Sequence, residues 1–403
     1  MRTLSFLVSF AVLLAACPKA KDGTATKDTQ DIWANGPQER VRRVPEGWEH
    51  IDLPPGSFDA RPNSTLAVED GTVWIAGSAV KIAQYQWVLR ASNVDEPKQH
   101  VYDPGRIIQI ASNGTGGISA VGVLGGIPSD NAWFANIDAF GEVSSRQTYP
   151  ANGAGRLLNF AVSADGQILS GTVAEGLGMQ GWLIAADMDG SDQWKMKYGG
   201  TGDHALTWVT TSEAETIAVG RYRAEMAPDE AWYVRVDAEG KVLAERHWAP
   251  KDWTRLSTAV AHPTGDLIAA GLVSSTDLGP DDGAASLWIG RLTPKGMTTW
   301  DRFEREDVSE VNNAVPWKGG LAVVVRTGGV GTADRRTWLV RCTDDGVVTW
   351  TALNLPEGVD LAEVHAVNED TLQLVAVISD KEGISWTSYA LALMADGAVS
   401  GPR

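Results

Sequence analysis

AWYVRVDAEGKVLAERHWA, the stretch from Ala231 to Ala249, decides the fold of this 403-residue chain. Trp232, Val234 and Val236 occupy every second position of its first half, which is the spacing of a strand that buries one face. Gly240 then interrupts the pattern, and a second strand-like run follows. The stretch therefore predicts two short antiparallel strands joined by a tight turn.

Similar stretches recur along the chain, each beginning at an aromatic residue. The first residues of these stretches are Trp87, Trp133, Trp182, Trp232, Trp288, Trp338 and Tyr389. Successive aromatic residues lie 46, 49, 50, 56, 50 and 51 positions apart, and a glycine lies eight residues after each of the last six. A period that drifts in this way indicates one supersecondary unit, repeated with loops of variable length.

Each repeat contains more than this hairpin. An apolar run that often ends in glycine precedes the aromatic residue, as in TIAVG from Thr216 to Gly220, and another run precedes that one, as in HALTWVTTS from His204 to Ser212. A fourth run follows the turn glycine, as in KVLAERHW from Lys241 to Trp248. Four short strands with a period of about fifty residues predict an all-β fold, a seven-bladed β-propeller with four-stranded antiparallel blades. The repeats of a β-solenoid are shorter, and two β-sandwiches would not produce one period throughout the chain.

The N-terminal part of the folded region resembles the end of a repeat. GWEHIDLPPG, from Gly47 to Gly56, is similar to VTWTALNLPEG, from Val348 to Gly358, which is the outer strand and exit of the sixth repeat. We therefore expect Trp48 to Leu53 to join the seventh blade as its outer strand or beside it. The predicted propeller spans residues 46–403, and this N-terminal strand closes its ring.

The fourth repeat also resembles a known family. YGGTGDHALTWVTTSEAETIAVGRYRAE, from Tyr198 to Glu225, is similar to the SBBP family of bacterial β-propeller repeats in its Gly-Gly pair, spaced Asp and glycine-ended strand. The other repeats match only in outline, because they do not reproduce the pair Gly199 and Gly200. The resemblance implies an extracytoplasmic propeller, and it implies no particular reaction, since one fold hosts many functions.

The first residues resemble a bacterial lipoprotein signal. The apolar run from Leu4 to Leu14 is too short to span a bilayer and has the size of a signal-peptide core. The following Leu-Ala-Ala-Cys resembles a lipobox, which implies cleavage after residues 1–16 and lipidation of Cys17; an ordinary secretory signal is the alternative. Residues 17–45 are polar and predict a flexible tether. We expect a lipid anchor in the cell envelope, and Pro18 in place of Asp favours the outer membrane.

Composition and motifs exclude several functions. A net charge of −17 argues against nucleic-acid binding and against lying flat on an anionic membrane. The six histidines are scattered without metal-ligand spacing, and the chain has neither a Gly-x-Ser-x-Gly motif nor a phosphate-binding loop. We therefore predict no cofactor, no metal and no catalytic residue. If Cys17 carries lipid, no intrachain disulfide can form, and Cys342 is expected to be a buried, inert thiol.

Function is expected where the repeats differ. The recurring tryptophans are expected to fill the space between neighbouring blades, and the Arg three residues after them, as in Arg235 and Arg291, is expected to clamp blades together. The loops that join strands two and three, and those that join successive blades, share one face of a propeller and vary in this chain. The candidate ligand-face residues in them are Asp203, Arg223, Trp253, Asp281, Asp282, Arg335 and Arg336.

The sequence favours a monomeric, non-catalytic module that binds an envelope protein or a glycan. We expect it to contact the membrane through its N-terminal lipid. The alternative is an enzyme acting on envelope or extracellular polysaccharide, and a purely structural coat protein is a third hypothesis. An enzyme should gather two or more carboxylates, or His with Asp, at one mouth of the channel with raised pKa values. A binding module should instead present a loop surface with apolar anchors such as Trp253.

Overall fold

In the computed structural model, all described residues belong to the second of two units, residues 44–403. The residues that it describes are 45, 47–57, 59–80, 83–92, 95–125, 130–151, 153–163, 166–212, 214–275, 285–328, 335–368, 371–380, 383–393 and 399–400. The predicted lipid-attachment residue Cys17 and two of the candidate ligand-face residues, Asp281 and Asp282, lie outside them.

The described residues form β-strands joined by turns and loops, with no α-helix among them, as the repeats predict. The strands are β1 Glu49–Asp52, β2 Asp59–Ala67, β3 Val73–Val80, β4 Gln84–Ala91, β5 Lys98–Ser112, β6 Ile118–Leu124, β7 Asn131–Ile137, β8 Val143–Tyr149, β9 Gly155–Val162, β10 Gln167–Glu175, β11 Gly178–Ala186, β12 Asp192–Tyr198, β13 Ala205–Thr211, β14 Glu215–Tyr222, β15 Glu230–Asp237, β16 Val242–Trp248, β17 Trp253–Ala261, β18 Leu267–Ser274, β19 Ala285–Leu292, β20 Thr298–Trp317, β21 Gly320–Thr327, β22 Arg336–Cys342, β23 Val348–Leu353, β24 Leu361–Asn368, β25 Thr371–Ser379, β26 Gly383–Leu393 and β27 Val399–Ser400.

The repeated unit is a four-stranded antiparallel meander. Strands β9 to β12 form one such sheet, and β13 to β16 form another. Two larger sheets, β2 to β8 and β17 to β23, have seven strands each, because a long strand passes from one meander into the next. The first part of β20 pairs with β19 and its second part with β21, and β5 does the same between β4 and β6. The expected separate blades are thus joined in pairs at these two places.

The N-terminal strand β1 pairs with a strand from the other end of the chain. Its register with β26 runs antiparallel from Glu49 opposite Trp386 to Asp52 opposite Gly383. The short strand β27 also pairs with β26, and the other strands of this sheet are β25 and β24. The segment from Trp48 to Leu53 therefore contributes an outer strand to the C-terminal meander, which is the pairing expected from its sequence.

The repeated glycines of the second strands face a bulge in the first strands, and the second strands continue beyond them. Leu157 pairs with Gly171 and Asn159 with Ser170, so Leu158 between them has no partner in the ladder. A Cβ on Gly171 would lie 1.9 Å from the carbonyl oxygen of Arg156, which only glycine avoids. The same close approach occurs at Gly77, Gly122, Gly220 and Gly271.

The recurring tryptophans join neighbouring meanders. Trp182 is 3% exposed and packs in one core cluster with Phe134 and Tyr149 of the preceding meander. Trp386 of β26 packs with Trp87 of β4, so the same contact links the last meander to the first. Because each ring buries a large apolar area, these residues serve the architecture, as their regular spacing predicts.

Hydrogen bonds between neighbouring meanders add to this packing. The Tyr149 hydroxyl donates to the carbonyl oxygen of Gly190 at 2.5 Å, and the Tyr198 hydroxyl donates to that of Gly240 at 2.7 Å. Burial raises the pKa of both tyrosines. Gly190 and Gly240 are thus each held by a tyrosine of the meander before them.

Arg291 clamps two meanders as predicted. Its Nε atom lies 2.7 Å from a carboxylate oxygen of Asp266 in the same meander, and its Nη1 atom pairs with Asp344 in the turn of the next one. Arg235 likewise pairs with Glu215 in its own meander and donates to the carbonyl oxygen of Pro294 in a turn of the next meander.

Candidate functional site

A group of arginines lies where the first strands of several meanders begin. We call Arg106, Arg156, Arg221, Arg223 and Arg255 the arginine cluster. Three of them, Arg156, Arg221 and Arg255, line one cavity of about 300 Å³. Arg156 belongs to β9, Arg221 to β14 and Arg255 to β17. Three separate meanders therefore place guanidinium groups around the same space. A cationic site is therefore built into a chain whose net charge is −17.

Buried aspartates hold part of the arginine cluster in place. Asp130 is 4% exposed and lies 3.1 Å from Nε of Arg156. Asp229 is 2% exposed and lies 2.5 Å from Nε of Arg223 and 3.4 Å from Nη1 of Arg221. Charge-assisted hydrogen bonds of this kind fix the orientation of a guanidinium group. The cluster is thus preorganised by carboxylates that are themselves fixed by burial.

The same aspartates connect consecutive meanders through their backbones. The Gly155 amide donates to the carbonyl oxygen of Asp130 at 2.8 Å, and the Thr254 amide donates to that of Asp229 at 2.8 Å. Because Gly155 and Trp253 begin the first strands of the following meanders, these bonds fix the position of one meander's loop on the next meander.

The electrostatics of the arginine cluster favour an anionic ligand. Burial, and next the charge of Arg156, lower the pKa of Arg106, while Asp130 acts in the opposite direction. The Nε atom of Arg106 is buried and has no hydrogen-bond partner. An acidic group bound here would offset the repulsion between the two guanidinium groups and supply an acceptor to the unpaired donor.

The structure brings together two of the predicted ligand-face residues. The Asp203 amide donates to the carbonyl oxygen of Arg223 at 2.9 Å, and the side chains lie 3.8 Å apart. Asp203 also accepts two hydrogen bonds from Nη2 of Arg221, at 3.1 and 3.0 Å. Asp203 and Arg223 are therefore part of, or in contact with, the arginine cluster.

Arg335 and Arg336 lie in a different part of the chain, at the start of β22. The Nη2 atom of Arg335 donates to Glu310 at 2.7 Å. Glu310 also accepts a bond from Arg326 at 3.2 Å, and Arg326 is 1% exposed. Arg336 is exposed. Arg326 and Arg335 thus share the carboxylate of Glu310, and this group is distinct from the arginine cluster.

Trp253 is not the exposed anchor that was expected. Its side chain is 3% exposed and belongs to a core cluster with Leu272 and Leu287, and the guanidinium group of Arg255 lies 5.4 Å from its ring centre. The residue begins β17 on the loop side, but its large apolar ring packs inward, as tryptophan does when a cavity in the core is available.

Two other apolar side chains are fully exposed on the loop side. Leu177, in the β10–β11 hairpin, and Met226, in the β14–β15 loop, have relative exposures of 111% and 100%. The His204 amide donates to the carbonyl oxygen of Met179 at 2.8 Å, next to Asp203, so the hairpin of Leu177 lies beside the arginine cluster. Met226 also has a φ of 59°, which is uncommon for a residue with a side chain.

A second cavity, of about 400 Å³, lies between the first strands of the meanders. It shares Leu158, Thr207 and Ser257 with the cavity of the arginine cluster, so the two spaces adjoin. Glu310 and Glu363 both line it. We call this space the channel cavity.

Glu363 is a buried carboxyl group that connects the two ends of the fold. It is 4% exposed, and its Oε2 atom accepts bonds from the amide and the hydroxyl of Thr65, at 2.5 and 2.9 Å. Burial raises the pKa of Glu363 to about 7. The Thr65 hydroxyl is also 2.9 Å from Nε2 of His365, and burial lowers the pKa of that histidine to about 4. At neutral pH the histidine is therefore uncharged.

Other candidate chemistry is sparse within the described ranges. No group of three or more His, Cys, Asp or Glu residues lies close enough there to hold a metal ion. Burial raises the pKa of the Cys342 thiol to about 12, so this thiol is inert, as expected. These parts of the chain contain no helix of the length and apolar character that crossing a membrane requires.

Comparison with known proteins identifies the fold. No protein-family model matches the chain, and no curated protein matches it. Among solved structures, the WD40 β-propeller domain of Doa1 is similar with a TM-score of 0.51 and 12% identity, covering 85% of this chain and 97% of that one. BBS1N in complex with ARL6DN gives a TM-score of 0.50 and 9% identity, covering 89% and 99%. The chain has a β-propeller fold.

Likeness at such low identity shows the fold and leaves the function open. A virginiamycin B lyase from Staphylococcus aureus is also similar, with a TM-score of 0.47, 10% identity and coverage of 84% and 98%. The resemblance of one repeat to the SBBP family stays a prediction, as does the lipobox.

Sequence reasoning identified Arg223 and missed the other members of the arginine cluster, although the chain carries a signal for three of them. The first strands begin with Arg in RPNS, RIIQ, RLLN and RLST, at Arg61, Arg106, Arg156 and Arg255. An Asp also stands three residues before the repeated Trp at Asp130 and Asp229. Leu177 and Met226 gave no comparable signal, because a single apolar residue in a polar loop is common.

Proposed function

We propose that the meanders form a ring of seven blades closed by the N-terminal strand. Three observations support this arrangement: the recurrence of the four-stranded unit, the pairing of β1 with β26, and the contact of β24 with β2. The first strands also contact one another in the order β2, β5, β9, β13, β17, β20, β24 and again β2. A closed ring covers both faces of every blade.

We propose that the protein is a non-catalytic binding module whose ligand face is the arginine cluster with its two exposed apolar neighbours. The observation that carries this proposal is the position of Leu177 and Met226 beside preorganised guanidinium groups. Exposed apolar side chains next to cationic groups fit a protein surface that combines acidic and apolar residues. A glycan with acidic groups would use the arginines and would not need the apolar side chains.

We also propose a location for this module on the basis of the N-terminal sequence. The lipobox-like residues before Cys17 support a lipid anchor in the cell envelope, and Pro18 supports the outer membrane. Labelling with a palmitate analogue tests the anchor, because a Cys17→Ser variant should lose the label while the same amount of protein is made. Retention of the label by that variant would contradict the proposed attachment site.

Chemical cross-linking in intact native cells tests the binding function. We expect a reproducible envelope protein in the adduct of the parent chain, and we expect its yield to fall at least fivefold when Leu177→Ser and Met226→Ser are combined. The matched control is Phe140→Ser, since Phe140 is 72% exposed in the turn at the other end of β7. An adduct that is equally reduced by the control, or unchanged by the double variant, would contradict the proposal.

An enzyme acting on polysaccharide is the second candidate, and one observation favours it. Glu310 and Glu363 line the same cavity, and burial raises the pKa of Glu363 to about 7 while two arginines bond Glu310. A carboxyl group with a raised pKa beside a second carboxyl group is an arrangement that glycoside hydrolysis uses. Shortening of envelope polysaccharide by the purified protein, abolished by Glu363→Gln, would favour this candidate over the binding module.

A further inference from the structure

The channel cavity contains polar groups that the fold does not use. Several of its polar side chains serve the ring itself: Asn63 donates to the carbonyl oxygen of Ile107 at 2.7 Å, and Asn312 donates to that of Ala362 at 2.8 Å. Such bonds join the first strands of neighbouring meanders, which have no shared backbone ladder. The remaining polar groups of the cavity therefore need a different explanation.

Glu363 is the most informative of these groups. Its Oε2 atom accepts both bonds from Thr65, whereas its Oε1 atom has no hydrogen-bond partner among the described residues. The residue is 4% exposed and lines the channel cavity. Oε1 is therefore an acceptor that remains open to a ligand in the cavity.

Further unused groups surround the same space. The side chains of Asn159 and Ser257 line the cavity and make no hydrogen bond with another described residue. The side-chain amide of Gln109 makes one hydrogen bond, at 3.3 Å to the carbonyl oxygen of the adjacent residue, Ile110. The half-buried ring of Trp208 also lines the cavity. Amide, hydroxyl and carboxyl groups together with an aromatic ring match the alternating hydroxyls and apolar face of a sugar.

Charge restricts the ligand further. A cation in the channel cavity would lie near Arg156 and Arg255 of the adjoining cavity, which repel it, and an anion there would meet Glu363. The volume of about 400 Å³ lies within the range of small-molecule sites. We propose that the channel cavity binds a neutral sugar unit, with Glu363, Asn159, Gln109 and Ser257 as its hydrogen-bonding groups. This site is separate from the proposed partner face and does not depend on it.

The test is a titration of the whole protein with glucose and N-acetylglucosamine, followed by saturation-transfer NMR and by tryptophan fluorescence. We expect saturable binding of at least one of the two sugars. Asn159→Leu and Gln109→Leu should each weaken it at least fivefold, because each removes a hydrogen bond without changing the volume much. Gln193→Leu, the same exchange at an exposed position of β12, should leave the affinity unchanged.

Three results would overturn the proposal. The first is the absence of saturable binding of either sugar, and the second is an equal affinity for all three variants. The third is tighter binding of glucuronate or glucosamine than of glucose, since these probes add one charge to the same ring. Circular dichroism of each variant shows whether it is folded. If Asn159→Leu is unfolded, the proposal is judged on the difference in sugar affinity between Gln109→Leu and the control Gln193→Leu.

Discussion

Replacing Glu363 with Gln should make the protein more resistant to unfolding as the pH rises. Glutamine keeps the acceptor for the two Thr65 bonds and cannot ionise. Burial raises the pKa of Glu363 from 4.5 to about 7, so the wild-type carboxyl stabilises the fold fully only below about pH 4.5. This contribution is lost as the pH rises through 7, because ionisation then takes place in a buried site.

The magnitude follows from the two pKa values. A shift of one unit corresponds to about 1.4 kcal/mol, and integration of the linkage relation between pH 5 and pH 8 gives about 2.5 kcal/mol. His365 acts in the opposite direction, since its lowered pKa costs stability as the pH falls below 6.5. The groups that face Glu363 from other strands, Glu310 and Arg326, are the same in both proteins. All these contributions largely cancel in the difference between variant and wild type.

The assay is urea unfolding of both proteins at pH 5 and pH 8. The free energy of unfolding of the variant, relative to wild type, should rise by about 2.5 kcal/mol between the two pH values. Glu239→Gln, at an exposed turn position, is the control and should show no such change. An unchanged difference for Glu363→Gln would refute the conclusion that this carboxyl group is buried with a raised pKa.

Three further predictions concern stability and reactivity. Tyr149→Phe should lower the free energy of unfolding by about 1–2 kcal/mol, since it removes the hydrogen bond to Gly190. A loss below about 0.3 kcal/mol, which is on the order of the error of urea unfolding, would contradict a stabilising role of this bond. Gly171→Ala should destabilise by roughly 2 kcal/mol or more, because its Cβ would lie 1.9 Å from a carbonyl oxygen; near-wild-type stability would contradict the bulge. Cys342 should react with a thiol reagent only after unfolding, given its raised pKa; rapid labelling of the folded protein would disprove its burial.

The repeated pattern predicted the parts of the fold that recur. Alternating apolar residues and turn glycines located the strands, and the similarity between the segments at Gly47 and Val348 predicted the pairing of β1 with β26. The joining of meanders through β5 was not predictable. Pro104 and Gly105 have the composition of a turn, yet the strand continues through them, with Pro104 paired to β4 and Gly105 to β6.

The candidate site was less accessible to sequence reasoning. The variable loops of the repeats predict Asp203 and Arg223 as ligand-face residues, and the structure places the two side chains 3.8 Å apart. The aromatic ring of Trp253 suggested an exposed anchor, but this ring packs in a core cluster with Leu272 and Leu287. Glu363 could not be selected among 51 acidic residues, since its importance depends on Thr65, which lies about 300 positions away in sequence and bonds it only when the chain ends meet.

The most direct test of the binding function is site-specific photo-cross-linking in native cells. A photoreactive amino acid placed at position 177 or 226 should give one discrete adduct with an envelope partner, and the same probe at position 140 should not give it. Adding Arg223→Gln should reduce the adduct at least fivefold, because this side chain is 41% exposed beside Asp229 and contributes to the cationic face. A similar adduct at position 140, or an adduct that does not depend on Arg223, would contradict the assignment of this face.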